Sequence, residues 1–333
     1  MSDFPPPAGR KSPGRLLYLS RADVEAAGVP MEEILDVLEV AFREHGLGRV
    51  EMPPKPGVHS RHDAFLHAMP AFIPALDSVG VKWVGGYPGN EARGLPYVSG
   101  LLILNDPDTG LPLAVMDCTW ITAKRTGAAT ALSARHLARP DSETVGVLGC
   151  GVQGRANVEA LKLVLPLKRV VAYDHQPDNA HRYADEVRGW GLEVVVAEGP
   201  QEAVVGCDVV VTAGPILRTP HATIQAGWLE TGAFASLVDF DSYWDPAALA
   251  EADKFCTDDL AQLEHYRRAG YFQGIPPVHA SLGELVTGRK PGRESPAERT
   301  IACNLGVALD DMATAPLVYR RASERGLGTV LPL

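Results

Sequence analysis

Three sets of residues in this chain have the types and spacings that chemistry needs. The first is Gly149-Cys-Gly151-Val-Gln-Gly154, with Asp174 about twenty residues beyond it. In such a run the first glycine permits a tight turn, and the second lets backbone N–H groups approach a pyrophosphate. The third allows a helix to pack closely on a sheet. A carboxylate at Asp174 can accept hydrogen bonds from both hydroxyls of an adenosine ribose, and its charge repels a 2′-phosphate. The pattern therefore predicts NAD rather than NADP. Among 33 glycines such spacing arises readily by chance, so the context has to decide. An apolar run, Thr144–Leu148, precedes the glycines, a helical pattern follows them, and Asp174 closes the next apolar run, Arg169–Tyr173.

The second set lies nearer the N-terminus: Lys55, Lys82, Arg125 and three histidines, His59, His62 and His67. Lys82 stands inside an apolar strand pattern, Val79-Gly-Val-Lys-Trp-Val84. A lysine so placed snorkels to solvent or faces a cleft, and the first is the commoner outcome. Arg125, in Ala123-Lys-Arg-Thr-Gly-Ala-Ala129, reads equally well as a plain helix-face charge. The histidines show no H-E-x-x-H or other paired ligand spacing, so no metal site is expected. The third set is Asp239 and Asp241, which follow an apolar run where loops at strand C-termini line the crevice of an open α/β sheet. Carboxylates in such loops are more often solvated caps than catalysts.

Composition narrows the field. Against 41 acidic residues stand 31 lysines and arginines, a formal net charge of −10, which argues against a dedicated nucleic-acid binder. No uninterrupted apolar stretch is long enough to span a membrane. The N-terminal segment, rich in charge and proline, lacks the apolar core of a secretory signal and reads as a loose tail. The five cysteines are scattered and odd in number, with no C-x-x-C, which suits reduced thiols in a cytoplasmic protein.

These residues must be positioned by elements that the pattern also predicts. Residues 21–48 read as one amphipathic helix, followed by strands at 64–69, 78–84 and 98–105. Turn chemistry in Asn105-Asp-Pro-Asp-Thr-Gly110 predicts a hairpin that returns through 111–116, and 120–138 reads as helix. Beyond Pro140 strands and helices alternate: strands at 144–148, 169–173, 192–197, 208–213 and 231–237, helices after Gly154, at 181–190, near 200–205 and at 260–268. Residues 295–311 read as a motif-poor stretch that ends helical. The fold class expected is α/β: a Rossmann-type, doubly wound parallel sheet plus a second domain.

At this level of detail the chain resembles the ornithine cyclodeaminase/mu-crystallin family, which includes an archaeal type of alanine dehydrogenase and several imine reductases. The resemblance is carried by Met69-Pro-Ala71, Val81-Lys-Trp-Val84 with Pro88-Gly-Asn90, Gly94-Leu-Pro96, and the Asp106 to Gly110 turn with Pro112-Leu-Ala114. It continues through Ile121-Thr-Ala-Lys-Arg-Thr-Gly-Ala128 and Gly149-Cys-Gly-Val-Gln-Gly154. It runs from about Leu17 to the C-terminus. It implies that the first domain, 1–125, is an α+β substrate-binding and dimerisation domain completed by 310–333. Residues 126–309 then form the NAD-binding domain, and the protein is a homodimer.

Carried over by position, the resemblance implies that Lys82 and Arg125 hold a substrate carboxylate, with Lys55 nearby. Asp241 is the essential acid beside the substrate amine, Lys82 shares the catalytic role, and Ser99 is a small hydroxyl in the pocket. Cofactor contacts fall on Arg125, Thr126, Gly149, Gly151, Val152, Gln153, Gly154, Asp174, Thr212, Ala213 and Asn304. Two departures stand out. His67 occupies the place of an acidic residue that ornithine cyclodeaminases share, and is expected to bind substrate there by meeting a second carboxylate or a small polar group. The glycine usual ahead of the acidic residue is also replaced, giving Leu237-Val-Asp-Phe-Asp-Ser-Tyr-Trp244. The activity implied is hydride transfer between NAD and the Cα of a small amino acid or its imine, as in an amino-acid dehydrogenase or imine reductase. The alternatives are an ornithine cyclodeaminase, forming proline and ammonia with catalytic NAD, and a crystallin-like small-ligand binding protein. The expected ligand is an amino acid, 2-oxo acid or imine.

Overall fold

The computed structural model describes residues 14–333. Residues 1–13 of the expected loose tail lie outside them, and Arg15 already begins a strand. The chain divides into two compact units, one reaching Arg125 and including Val307–Leu333, the other Thr126–Gly306.

In the first unit seven strands form one sheet. Its order is Thr329–Pro332, Arg15–Leu19, Pro112–Asp117, Val98–Asn105, Ser78–Gly86, Phe65–Ile73 and Gly57–Val58. All neighbours are antiparallel except Arg15–Leu19 beside Pro112–Asp117. The expected hairpin forms, with Asp106 Oδ1 accepting from the backbone N–H groups of Asp108 at 3.0 Å and Thr109 at 2.9 Å. Alternation sets the faces. Along Phe65–Ile73 the residues His67, Met69, Ala71 and Ile73 are buried, and Lys82 and Val84 share that side on the next strand. The helix Ala308–Glu324 packs on these strands and against Met31–Gly46. The alternate residues point the other way and are mostly only partly buried, and Trp83 and Leu101 among them stay about half exposed. The single helix expected over 21–48 is two, Arg21–Ala27 and Met31–Gly46. Gly28 turns left-handed at φ 64°, and Pro30 has no N–H to continue the ladder.

The second unit holds an eight-stranded, wholly parallel sheet. The order is Val278–Ser281, Lys254–Thr257, Thr300–Cys303, Phe234–Leu237, Val209–Thr212, Thr144–Leu148, Arg169–Tyr173 and Glu193–Val196. Its central strands are buried on both faces, as a doubly wound sheet requires. Two expectations fail here. Residues 200–205 are turns rather than helix. The stretch read as motif-poor contains the strand Thr300–Cys303, whose four buried residues show no alternation to detect. Among the described residues all five cysteines are free and buried, and no helix is long and apolar enough to cross a membrane.

Candidate active site

In the second unit the residues singled out by type collect at the carboxyl ends of parallel strands. Gly149 follows the strand ending at Leu148, Asp174 follows Tyr173, Ala213 follows Thr212, Asp239 and Asp241 follow Leu237, and Asn304 follows Cys303. The strand Thr144–Leu148 lies between Arg169–Tyr173 and Val209–Thr212, so connections leave it in both directions, and this reversal opens a crevice. Gly149 has φ 102°, and a Cβ there would stand 2.6 Å from the Ala213 carbonyl oxygen. At Gly154 a Cβ would meet the Gly149 carbonyl oxygen at 2.4 Å. Gly151 caps the helix Val152–Leu161 with no side chain bonded to the helix N-terminus and no acidic residue in its first turn. That end presents backbone donors suited to an anion.

Asp174 lies beside this turn. Its Oδ2 accepts from the Cys150 N–H at 2.9 Å and its Oδ1 from the Gln176 N–H at 2.9 Å. Two amide oxygens nearby are buried without a hydrogen-bond partner, Gln153 Oε1 and Asn304 Oδ1, while the Asn304 amide donates to Ser133 at 3.0 Å. Such orphaned acceptors are costly unless a ligand or water satisfies them. The residues present thus fit a dinucleotide. The Thr212 hydroxyl is committed elsewhere, donating to Asp239 Oδ1 at 2.6 Å.

Asp239 and Asp241 are not solvated caps: both carboxyls are buried. Asp239 Oδ2 also accepts from the Gly214 N–H at 2.8 Å. Burial outweighs these hydrogen bonds and pushes its carboxyl up to about 7. Asp241 is also raised by burial, against opposing hydrogen bonds from its own backbone and that of Phe272. It lines a pocket of about 410 Å³ together with Arg218, Trp244, Tyr271, Phe272 and Gln273. Phe240, between the two aspartates, is left-handed at φ 64°, and Phe272 is left-handed at φ 56°. Their rings lie 5.0 Å apart in a cluster with Tyr266 and Tyr271.

In the first unit Lys82 does not snorkel. It is wholly buried, with Nζ 2.6 Å from Asp311 Oδ2 and 3.5 Å from the Thr122 hydroxyl. Arg125, in the helix Thr119–Leu137, is no surface charge: one terminal nitrogen donates to Asp310 Oδ2 at 3.0 Å, and Nε lies 3.3 Å from Asp311 Oδ1. Burial and the adjacent Arg125 push the Lys82 amine below its usual range, while Asp311 opposes them. Lys55 and His67 are buried too, and the His67 ring stacks on Phe65 at 4.3 Å. His59 and His62 are exposed, so the three histidines form no cluster. Ser99 is not brought to this side of the sheet. It is exposed on the face of Leu101, because strand alternation turns it away from Leu102, the partner of Lys82. Sequence reasoning missed Asp310 and Asp311. Their signal is two adjacent carboxylates in the first turn of a helix whose next seven residues are mostly small or apolar.

Glycine cradle, crevice and buried carboxylates define a Rossmann-type α/β protein with an added α+β unit. The chain belongs to the ornithine cyclodeaminase/mu-crystallin family, whose model matches residues 17–326. It is similar to the alanine dehydrogenase of Archaeoglobus fulgidus, 38% identical over 322 residues, 94% of this chain and 97% of that protein. Among solved structures it is similar to an archaeal alanine dehydrogenase dimer with bound NAD, at 36% identity and a TM-score of 0.85, covering 95% of this chain and 99% of that one. The Thermococcus litoralis Delta(1)-pyrroline-2-carboxylate reductase, in complex with NADH and L-proline, gives 33% identity and a TM-score of 0.86 over 94% of this chain and 99% of that one.

Proposed function

We propose that this chain is an NAD(H)-dependent oxidoreductase of the C–N bond, acting on a small amino acid or its imine. The observation that carries the reading is Asp241: a carboxyl at the carboxyl end of a nucleotide-type sheet, buried, lining a pocket, and raised by that burial toward the range where it can give and take a proton. Asp174 beside the glycine turn supports NAD over NADP. When bound, the nicotinamide supplies or accepts the hydride. Lys82 and Arg125 hold the substrate carboxylate, and Asp310 and Asp311 orient both cations in advance by occupying fixed donors. Asp241 gives a proton to the nitrogen in imine reduction and removes one from the amine in oxidation.

The protein works as a homodimer built on the bare face of the mixed sheet. Trp83 and Leu101, paired across neighbouring strands, are 46% and 45% exposed there, beside Val81, Ile103 and Val115. Such a face calls for a partner, and the archaeal relative is a dimer. Sedimentation of the wild type as a dimer, and of W83E as a monomer, checks this. The free, buried cysteines support a reducing compartment such as the cytoplasm.

The deciding experiment follows NADH absorbance with ammonia and pyruvate, glyoxylate, oxaloacetate or 2-oxoglutarate. Ammonia-dependent loss of NADH with one of them establishes reductive amination. Flat traces across the panel, with proline formed from ornithine and trace NAD, replace this reading by cyclodeaminase chemistry.

A further inference from the structure

Asp239 lies in the same turn as Asp241, yet it lines no part of the pocket. Its hydrogen bonds run to the end of the strand Val209–Thr212 and, through Thr212, to Trp244, which does line the pocket. The Trp244 indole N–H donates to the Thr212 hydroxyl oxygen at 3.3 Å, that hydroxyl donates to Asp239 Oδ1, and the Gly214 N–H donates to Asp239 Oδ2. All three side chains are buried, so water does not substitute for these bonds. Between Asp239 and Asp241, the left-handed Phe240 packs its ring on Phe272, whose backbone N–H bonds Asp241. A non-glycine residue persists in the left-handed region only where its surroundings enforce it.

We propose that Asp239 is a positioning residue: by tying its turn to the end of the strand Val209–Thr212, it holds Phe240 left-handed and keeps the Asp241 carboxyl turned into the pocket. The inference rests on the proton-transfer role of Asp241 proposed above. The ionised form of Asp239 accepts both bonds, whereas the protonated form must donate one and reorients the Thr212 hydroxyl. Its ionisable neighbours are Asp241 on the same turn and the buried Cys303 thiol on the strand Thr300–Cys303, which Asp258 also influences. Neither brings a positive charge to Asp239. With its carboxyl poised near neutrality, the network changes state around pH 7.

The test compares wild type with D239N. Tryptophan fluorescence of the protein without cofactor, scanned from mildly acidic to mildly basic pH, should show a step near 7 through Trp244, and D239N should lack it. The T212V variant, which keeps the carboxyl but removes one bond to its charged form, should move the step to higher pH. Turnover with NADH should fall at least tenfold in kcat for D239N, with KM for NADH within twofold and the limb of the pH profile near 7 lost. Identical fluorescence curves for all three proteins, or an unchanged kcat and pH profile in D239N, overturn the proposal. If the wild type turns over no substrate, the functional reading fails instead. The crystal structure of D239N then decides on Asp239: Asp241 displaced from the pocket upholds its role, and Asp241 in its present place refutes it.

Discussion

The two units bury charge in opposite ways. In the first, Lys82 and Arg125 are matched by Asp310 and Asp311, so opposite charges compensate one another away from water. In the second, Asp239 is held by neutral donors, an amide and a hydroxyl, and Asp174 by two backbone amides and the Asn179 side-chain amide, with the His175 ring beside it. A matched pair has no net charge to lose, and its removal is costly because it strands the partner. A carboxylate held by neutral donors carries its own desolvation cost, which shows as a raised proton affinity when burial is complete. The first arrangement suits cations held in fixed places. At Asp239 the second suits a group that changes protonation.

The comparison can be broken or sharpened by substitution. The largest effect is expected from D311A, which strands the wholly buried Lys82 and removes a partner of Arg125. Thermal and denaturant unfolding should show a loss of about 3–5 kcal/mol, and a loss near that of a surface substitution would show that the quartet is not a matched network. Next comes D241N, in which turnover should fall by about 10²–10⁴ while fluorescence titration shows unaltered NADH binding. Retained activity would remove Asp241 from the mechanism.

Asp239 gives a smaller effect with a definite sign. Its folded carboxyl keeps its proton to about 7, well above its ordinary value of 3.8. Between those values the folded protein binds the extra proton, so its stability falls as pH rises. The slope reaches up to about 1.4 kcal/mol per pH unit. D239N should flatten that slope between about pH 4 and 7 in a series of melting curves. An unchanged slope would assign the Asp239 proton affinity to its ordinary range. Smallest is D174A: the ratio of kcat/KM for NADH over NADPH should fall by about tenfold, the worth of a charge-assisted hydrogen bond. An unchanged ratio would show that ribose recognition lies elsewhere.

Much of the second unit was legible in the sequence because its signals are local. The helix at 260–268 was read to its ends, since Asp259 caps it and Gly270 follows it. The glycine turn is recognisable from its neighbours in sequence, and the structure adds why two of its glycines are needed: a Cβ at Gly149 or Gly154 would collide with a backbone oxygen, whereas Gly151 faces open space. The strand at 300–303 was missed because a strand buried on both faces loses the alternation that marks one. In the first unit apolar spacing continues on both sides of Gly28 to Pro30 and hides the break there, although glycine and proline together announce a stop.

The sequence by itself determined the alternating parallel fold, the nucleotide-type turn with its acidic partner, the hairpin at Asp106 and the family resemblance. All of these depend on residues within a few turns or strands of one another. Only the tertiary structure decided which charges are buried and what answers them. Arg125 and Asp310 stand 185 residues apart, so no spacing rule relates them. The buried state of Lys82, the exposure of Ser99 and the bonds of Asp239 likewise follow from which strands become neighbours and which face each side chain takes. Desolvation is a property of the surroundings in space, and those surroundings exist only once the chain has folded.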